Sequence, residues 1–262
     1  MNELNNTPKW QKIVCAVISI FAFIVLWYLG TNGTRSGQII ANPIEVLKKF
    51  FQSFVIPIGT NTIIGHILWS LSRVMIASII ASVVGITLGV TMGWYKTVEA
   101  IFRPLFEVIR PIPPIAWIPL AILWFGLGET PKYFIIFLAA FANVTVNVYD
   151  GAKSVDPELV GAAKMLGASD RRTFTSIVLP ATVPHIFAGL QIALGSAWAT
   201  VVAAEMVRSS EGIGWVIITG QDANNTVQIL VGILAVGIIG YLLAILMRVI
   251  ETKLCAWSVR RT

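Results

Sequence analysis

The chain has 262 residues, of which 56% are hydrophobic and 12% are charged, and its mean hydropathy is +0.80. This composition excludes an ordinary soluble domain, and the chain lacks the short alternating segments of a β-barrel. The formal net charge of +6 does not call for nucleic acid as a partner, because membrane topology explains the distribution of the basic residues.

Hydropathy predicts about six transmembrane helices, since about 20 apolar residues are needed to cross the hydrocarbon. They are expected at about 13–30, 67–94, 106–127, 133–149, 181–207 and 227–250. The first is predicted to be a retained helix rather than a secretion signal, because its apolar run is long and no convincing cleavage site follows it. We divide the chain into an N-terminal part, 1–66, and a core, 67–262.

A shorter amphipathic helix is predicted after the first span. Asn42 and Pro43 open this helix. Its apolar face consists of Ile44, Val46, Leu47, Phe50, Phe51 and Phe54. The helix is expected to lie in the outer membrane interface, and it either packs on the bundle as a linker or docks a partner.

Prolines interrupt the third predicted span at four positions, Pro111, Pro113, Pro114 and Pro119. Proline lacks the amide donor and bends a helix, and such breaks persist in a bilayer where the freed carbonyls meet protein or water. The break is expected to be either a gate or substrate-facing bend, or a kink required for packing.

Polar side chains within the spans are candidates for a translocation pathway, because they are costly in lipid and tend to face the bundle interior. The main candidates are Asn143, Asn147, Gln191, Ser196, Thr200 and Glu205. Further polar residues in or near spans are Arg73, Glu107, Arg110 and Thr145. For Asn143 and Asn147, hydrogen bonds between helices are favoured over a polar lining. Arg73 is expected either to snorkel to a membrane face or to line the pathway. No catalytic group or metal site is predicted.

A polar island from Asp150 to Pro180 separates the fourth and fifth spans. Asp156 is a good cap for a helix whose small residues, Gly161–Ala163, allow another surface to approach closely. Gly167 is expected to end this helix, and a second short helix is expected to stop at Leu179–Pro180. The island is either a compact knob for a partner or a plain helical hairpin.

The distribution of lysine and arginine predicts the orientation. With the N-terminus in the cytoplasm, the inner segments hold twelve of these nineteen residues and the outer segments hold five. Cytoplasmic segments of membrane proteins carry such an excess. Both termini and the polar island are therefore predicted to be cytoplasmic.

The island resembles the cytoplasmic EAA loop of permease subunits of ATP-binding-cassette importers. That loop has Glu-Ala-Ala, three residues, Gly, nine residues and then Ile-x-Leu-Pro, and here Gly161–Ala163, Gly167 and Ile177–Pro180 keep the same spacing. Gly161 departs from the pattern, because the family has Glu there, and Glu158 lies one helical turn earlier.

Two further regions resemble the taurine, aliphatic sulfonate and nitrate branch of these permeases, with taurine permeases as the nearest match. They are Arg110–Pro119 followed by Leu123–Glu129, and Ala199–Val207 followed by Gly212–Gly214. The resemblance covers about residues 65–255. It implies an all-α polytopic membrane protein with the type I, MetI-like permease architecture, whose core contains the coupling loop 150–180.

The resemblance also implies partners. Two permease copies form a homodimer, two copies of a cytoplasmic ATP-binding subunit bind ATP and Mg, and an extracytoplasmic protein delivers the substrate. The residues implied in coupling to the ATPase are Glu158, Gly161, Ala162, Ala163, Gly167, Ile177, Leu179 and Pro180. The chain contains no G-x-x-x-x-G-K-[ST] phosphate loop and no cofactor is expected on it, so it is predicted to be a transport subunit rather than an enzyme.

The expected location is the bacterial cytoplasmic (inner) membrane. The expected substrate is a small anion, taurine or another aliphatic sulfonate, with nitrate or another small solute as the alternative within the family. An ion-coupled secondary transporter is the main rival class, although such a carrier has no need for the polar island. An intramembrane enzyme is disfavoured because the acidic residues are scattered.

Overall fold

The computed structural model describes residues 8–34 and 40–254, which form two compact units. The first unit contains the chain up to Ile63 together with Val216–Leu234, and the second contains Ile64–Trp215 together with the chain from Ala235. The α-helices are α1 (Lys9–Thr31), α2 (Pro43–Gln52), α3 (Ile63–Trp94), α4 (Lys96–Ile109), α5 (Ile118–Phe125), α6 (Thr130–Lys153), α7 (Pro157–Met165), α8 (Asp170–Thr173), α9 (Leu179–Met206), α10 (Ile213–Asp222) and α11 (Thr226–Leu254).

The long helices confirm the prediction of about six spans. Within the described residues, five helical segments are long and apolar enough to cross a membrane. A sixth crossing is obtained when α4 and the helical segment Pro114–Phe125 are counted as one bent span. Burial within the chain is low for these helices, as expected for surfaces that face lipid or a second subunit.

The predicted third span is bent far more sharply than an ordinary proline kink. The axis turns by 88° between α4 and the segment Pro114–Phe125. Pro111, Pro113 and Pro114 fall at this turn and cannot donate backbone hydrogen bonds, so the helix ends at Ile109 and restarts as a 3₁₀ turn at Pro114. The helix before the break begins at Lys96, ten residues earlier than the span predicted from hydropathy.

The first unit contains the predicted amphipathic helix, α2. The Asn42 side chain accepts a hydrogen bond from the Ile44 amide at 2.9 Å, which confirms Asn42 as the N-cap. Val46 and Phe50 are buried, whereas Phe51 is 68% exposed. One edge of the apolar face of this helix is therefore buried, and the other edge is open.

The second unit is built around the contact of α6 with α9 and α3. Small residues allow these helices to approach closely: Gly189 of α9 lies against Val144 and Asn147 of α6. Gly89 of α3 lies against Thr145 and Val148 of the same helix, α6. Close approach through small residues is a common way for helices to pack in a bilayer, where no hydrophobic force drives them together.

We expect Gly89→Ala to destabilise the protein by about 1–3 kcal/mol, because the added methyl overpacks a tight helix contact. A Cβ at position 89 would stand 2.7 Å from the Thr145 carbonyl oxygen and 2.9 Å from the Val148 Cβ. Thermal unfolding in detergent measures the effect. Gly237→Ala in α11 is the matched control, because a Cβ there meets nothing within 4 Å. Equal melting temperatures for the two variants would contradict the packing described.

The predicted stop at Leu179–Pro180 is wrong. The helix that begins at Asp170 continues through a π-helical turn, Phe174–Val178, into α9 without a break. The Leu179 amide donates to the Phe174 carbonyl, one residue further back than in an α-helix. Pro180 follows this π-helical turn, at the second residue of α9.

Candidate functional site

The polar island begins with a short capped helix, α7. The Asp156 carboxylate accepts a hydrogen bond from the Glu158 amide at 2.8 Å, and Pro157 occupies the first turn. Both features favour helix initiation, and the carboxylates of Asp156 and Glu158 lie at the positive end of the helix dipole. This agrees with the helix start predicted from the sequence.

Gly167 ends α7 as predicted. Its φ is +82°, a conformation that glycine adopts at little cost. The Gly167 amide donates to the Lys164 carbonyl and the Ala168 amide donates to the Ala163 carbonyl, which together form a Schellman motif. Ser169 then caps the next helix by accepting from the Arg172 amide at 3.3 Å. The turn between α7 and α8 is therefore fixed by its own hydrogen bonds.

Three apolar side chains on α7 and its C-cap, Leu166, are exposed within the described chain. Leu159 is 57% exposed, Met165 is 86% exposed and Leu166 is 88% exposed. A Cβ at Gly161 would meet nothing within 4 Å, so packing inside this chain does not require glycine there. We call the segment from Asp156 to Ser169 the coupling segment. Exposed apolar residues grouped on one short helix are typical of a surface that a partner covers.

Asn143 and Asn147, two of the predicted pathway residues, both lie on α6 but form different hydrogen bonds. The Asn143 side-chain amide donates to the Ala139 carbonyl at 2.8 Å and to the Ser196 hydroxyl at 3.0 Å, and so connects α6 to α9. This confirms the predicted hydrogen bond between helices for Asn143. For Asn147 the same prediction is wrong, because its side-chain amide donates within α6, to the Asn143 carbonyl at 2.8 Å, while its Cβ lies against Gly189 of α9.

The remaining pathway candidates lie in different surroundings. Gln191 and Ser196 line a cavity of about 510 Å³ between α9 and α11. Thr200 is buried on α9, and Glu205 is completely buried near the end of that helix. Glu205 does not line this cavity; it pairs instead with Arg73 of α3.

A buried ion network surrounds Arg73 in α3. The Arg73 guanidinium donates to the Glu129 carboxylate at 2.6 and 2.9 Å and to the Glu205 carboxylate at 2.8 Å, and a further bond reaches the Glu211 carbonyl. Neither the Arg73 nor the Glu205 side chain has any exposed surface. The interpretation of Arg73 as a snorkelling residue is therefore wrong, because two carboxylates compensate its charge inside the protein.

The same network caps the start of α10. The Gly214 amide donates to Glu205, the Ile213 amide to the Ser70 hydroxyl and the Gly212 amide to the His66 Nδ1, at 2.9, 2.9 and 3.1 Å. The first amides of a helix have no partner within the helix, so these side chains satisfy donors that are otherwise costly to bury. We call this group of five side chains and the backbone 211–214 the Arg73 cluster. Its side chains belong to His66, Ser70, Arg73, Glu129 and Glu205.

Glu129 joins the cluster to the start of α6. Lys132 donates to the Glu129 carboxylate at 2.8 Å and to the Ser209 hydroxyl at 2.9 Å. Partial burial raises the pKa of the Glu129 carboxyl, but the hydrogen bonds from Arg73 and Lys132 outweigh burial, and the pKa lies below its ordinary value. The carboxylate is therefore charged at neutral pH, and the stability it contributes is lost only as pH falls through that lowered pKa.

The cluster was missed in the sequence because its members are far apart along the chain. The available signal was a pair of opposite charges, Arg73 and Glu205, each embedded in an apolar helix. A charge in such a helix requires a partner, and these two can compensate each other. The roles of His66, Ser70 and the turn before α10 had no comparable local signal.

The cluster and the coupling segment lie at opposite ends of α6. Glu129 directly precedes this helix, and the coupling segment starts three residues after it ends at Lys153. The 24 residues of α6 span about 36 Å at 1.5 Å per residue. The helix is therefore long enough to cross a bilayer and to connect the two sites rigidly.

Comparisons with known proteins agree with this architecture. Residues 81–254 match the family model described as binding-protein-dependent transport system inner membrane component. The taurine transport system permease protein TauC of Escherichia coli is 34% identical over 95% of this chain and 92% of its own length. The nitrate import permease protein NrtB of Synechocystis is 32% identical over 88% of this chain and 86% of its own length. A putative aliphatic sulfonates transport permease protein, SsuC of Bacillus subtilis, is 29% identical over 95% of this chain and 88% of its own length.

Solved structures with a similar fold are also ABC transporters. The chain matches a structure of the MetNI methionine ABC transporter with a TM-score of 0.60 at 18% identity, over 70% of this chain and 92% of the other. It matches an amino acid ABC transporter with a TM-score of 0.61 at 16% identity, over 79% and 96%. These likenesses confirm the predicted all-α, MetI-like fold.

Proposed function

Because the chain belongs to the family of binding-protein-dependent transport system inner membrane components, and within it to the taurine, sulfonate and nitrate branch of ABC importer permeases, we propose that it moves a small aliphatic sulfonate such as taurine into the cytoplasm. As a permease subunit it does not hydrolyse ATP itself, and a partner chain supplies that reaction. The similarity to TauC supports a sulfonate, and the similarity to NrtB makes nitrate the alternative substrate.

The proposed assembly contains two copies of this chain, two cytoplasmic ATPase subunits that bind ATP and Mg, and an extracytoplasmic substrate-binding protein. Both termini and the coupling segment are placed in the cytoplasm. The excess of lysine and arginine in the corresponding segments supports this orientation.

The exposed apolar surface of α7 is the observation that carries the proposal. Leu159, Met165 and Leu166 are available for a partner, and the turn at Gly167 holds them in a fixed arrangement. We therefore assign ATPase docking to the coupling segment. The predicted coupling residues on α7, Glu158 and Gly161–Ala163, are proposed to form the contact with the ATPase, and Gly167 fixes the turn beside it. Ile177, Leu179 and Pro180 belong to the helix that continues into the membrane.

The connections of the coupling segment explain how docking would move the spans. Only three residues separate the end of α6 from the start of α7, and the chain after Ser169 is helical without a break to Met206. A displacement of α7 is thus transmitted to two closely packed spans rather than absorbed by a flexible loop. ATP binding changes the transport state only if the ATPase contacts α7 differently in its open and closed forms.

A translocation pathway along α9 remains part of the proposal. Gln191 and Ser196 line an open cavity, and their hydrogen-bonding groups suit a small anion better than fixed carboxylates do. The Asn143 side-chain amide on α6 donates a hydrogen bond to the Ser196 hydroxyl and holds it in place. Asn147, Thr200 and Glu205 are proposed to shape the surrounding helix contacts.

We expect Leu166→Glu to abolish co-purification of the chain with its co-expressed ATPase subunit, because a charge replaces the most exposed apolar side chain of the proposed contact. The effect is expected to reach about 2 kcal/mol or more of binding free energy, as for central interface residues. The measurement is affinity purification of the co-expressed complex, followed by quantification of both subunits.

Val55→Glu is the matched control, because Val55 is an aliphatic residue with 81% exposure on a segment predicted to be on the outer side. This variant is expected to retain the ATPase, and both variants are expected to insert in the membrane normally. If Leu166→Glu retains the ATPase as well as the wild type does, the coupling segment is not the docking site. If the wild type itself binds no ATPase, the secondary-transporter alternative gains support.

A further inference from the structure

The open edge of α2 takes no part in the proposed docking of the ATPase or in the proposed pathway. Successive residues of a helix are about 100° apart around its axis, so Ile44, Leu47 and Phe51 form one exposed apolar stripe along α2. The buried side chains of Val46 and Phe50 lie on one flank of this stripe. Exposed apolar side chains grouped in this way mark a surface that a partner or a membrane covers.

The stripe borders a groove between α1 and α2, within the first unit. The groove measures about 220 Å³, and its walls are the side chains of Ile24, Val25, Tyr28, Pro43, Ile44 and Leu47. Tyr28 is the one residue of this lining with a polar side-chain atom. The groove therefore suits a hydrocarbon chain better than a polar solute.

The end of α1 places this groove at the membrane surface. The segment Ile13–Thr31 is long and apolar enough to cross a bilayer, and Tyr28 lies in its last turn, next to Trp27. Tryptophan and tyrosine concentrate where the bilayer meets water. The Tyr28 hydroxyl accepts a hydrogen bond from the Asn32 side-chain amide at 3.0 Å, and within the described chain it donates to no other group. Its hydrogen can therefore be donated to a polar group bound beside the groove.

Lys48 is the cation beside the apolar stripe. It is exposed, and because it follows Ile44 by four residues it lies about 40° around the helix from Ile44. Glu45 lies about 60° further round, on the side of Lys48 away from the stripe. In the part of the chain that the structure describes, no side chain of α2 forms an ion pair. A lysine beside an apolar stripe at a membrane surface attracts an anionic lipid.

We infer that the groove between α1 and α2 binds an anionic phospholipid, of which phosphatidylglycerol is the probe. One acyl chain lies in the groove against Ile44 and Leu47, and the headgroup phosphate meets the Lys48 ammonium, with the Tyr28 hydroxyl as a further donor. In the proposed orientation this lipid belongs to the outer leaflet. It covers the open edge of α2 and holds this helix against the end of the first span. The inference does not depend on which solute is transported.

The test is native mass spectrometry of the full-length chain in detergent, titrated with phosphatidylglycerol and with phosphatidylcholine. Phosphatidylglycerol is expected to bind about fivefold more tightly, as attraction to one lysine predicts. Leu47→Asn is expected to weaken both lipids by about tenfold, because an apolar wall of the groove is lost. Leu47 is 44% exposed, so the fold tolerates this substitution, and circular dichroism checks that the helix content is unchanged.

Leu68→Asn is the matched control for the groove. Leu68 is 58% exposed near the start of α3 and lies outside the groove, so both lipids are expected to bind this variant as they bind the wild type. Equal affinities of Leu47→Asn and the wild type for both lipids would overturn the assignment.

Lys48→Gln and Lys49→Gln test the charge on the same helix. Lys49 lies about 100° around the helix from Lys48, further from the stripe. Lys48→Gln is expected to remove the fivefold preference for phosphatidylglycerol, whereas Lys49→Gln is expected to keep it. An equal loss of preference in both variants would show a diffuse attraction to the membrane surface, and the assignment of a defined lipid site would then be wrong.

A second copy of this chain is the competing occupant of the groove. Leu47→Cys is introduced after Cys15→Ser and Cys255→Ser have removed the native thiols, and disulfide crosslinking is measured in membranes. No crosslinked dimer is expected, because lipid separates position 47 from any other copy. Efficient crosslinking through position 47 would assign the groove to the second copy and reject the lipid site.

Discussion

Arg73→Met is expected to lower the free energy of unfolding by about 3–5 kcal/mol, the cost of removing one partner from a buried ion pair. Arg73 is completely buried and supplies hydrogen bonds to both Glu129 and Glu205. Without the guanidinium, Glu205 remains buried and keeps its hydrogen bonds from Ser70 and the Gly214 amide, but among the described residues no other cation pairs with its negative charge. Denaturant unfolding of the detergent-solubilised protein measures the loss.

Arg103→Met is the matched control for this substitution. Arg103 also pairs with two glutamates, but its side chain is 55% exposed. Exposed ion pairs contribute about 0–1 kcal/mol, so the control is expected to stay close to the wild type. Replacing both buried partners, as Arg73→Met with Glu205→Leu, is expected to recover part of the loss because no buried charge is then left unpaired on Glu205. A loss below about 1 kcal/mol for Arg73→Met alone would contradict the burial of the network.

The membrane helices were predictable from sequence because their cause is local. Runs of apolar residues and the break caused by Pro111, Pro113 and Pro114 depend only on neighbouring positions, and the structure places helices and a bend accordingly. The start of α7 at Asp156 and its end at Gly167 were also predictable, since capping acts over a few residues.

Features that depend on distant parts of the chain were not predictable in the same way. The 88° bend is fixed by packing as well as by proline, and proline alone does not specify an angle. Local sequence rules predict that the helix stops at Leu179–Pro180. It continues past Pro180 because a π-helical turn, Phe174–Val178, comes directly before this pair. The ion pair between Arg73 and Glu205 joins residues 132 positions apart in the chain, so no short sequence motif predicts it.

The turn before α10 ties the backbone to the Arg73 cluster at Gly212. This glycine has a φ of +109°, which other residues rarely adopt. A Cβ at this position would collide with the carboxyl group of Glu205. Glycine is therefore required at position 212 for two reasons: the backbone conformation disfavours any other residue, and the buried Glu205 carboxylate leaves no room for a side chain.

Gly212→Ala is accordingly expected to lower the free energy of unfolding by about 3 kcal/mol or more, the sum of backbone strain and the displacement of a buried, hydrogen-bonded carboxylate. Gly126→Ala separates the two causes, because Gly126 has a φ of +74° but a Cβ there meets nothing within 4 Å. Gly126 has a ψ of −167°, and this combination of φ and ψ is essentially restricted to glycine, so the control is expected to cost about 1–3 kcal/mol from backbone strain alone and less than Gly212→Ala. Both are measured by the same denaturant titration as Arg73→Met.

The two substitutions at the cluster should also be non-additive. Arg73→Met already removes one of the contacts that hold the Glu205 carboxylate in place, so the carboxylate is freer to move away from an alanine at position 212. The cost of Gly212→Ala is therefore expected to fall by about 0.5–3 kcal/mol in the Arg73→Met background, the range found for residues that share one network. Strict additivity would mean that Gly212 and Arg73 act independently, and the turn before α10 would then be stabilised by something other than the Arg73 cluster.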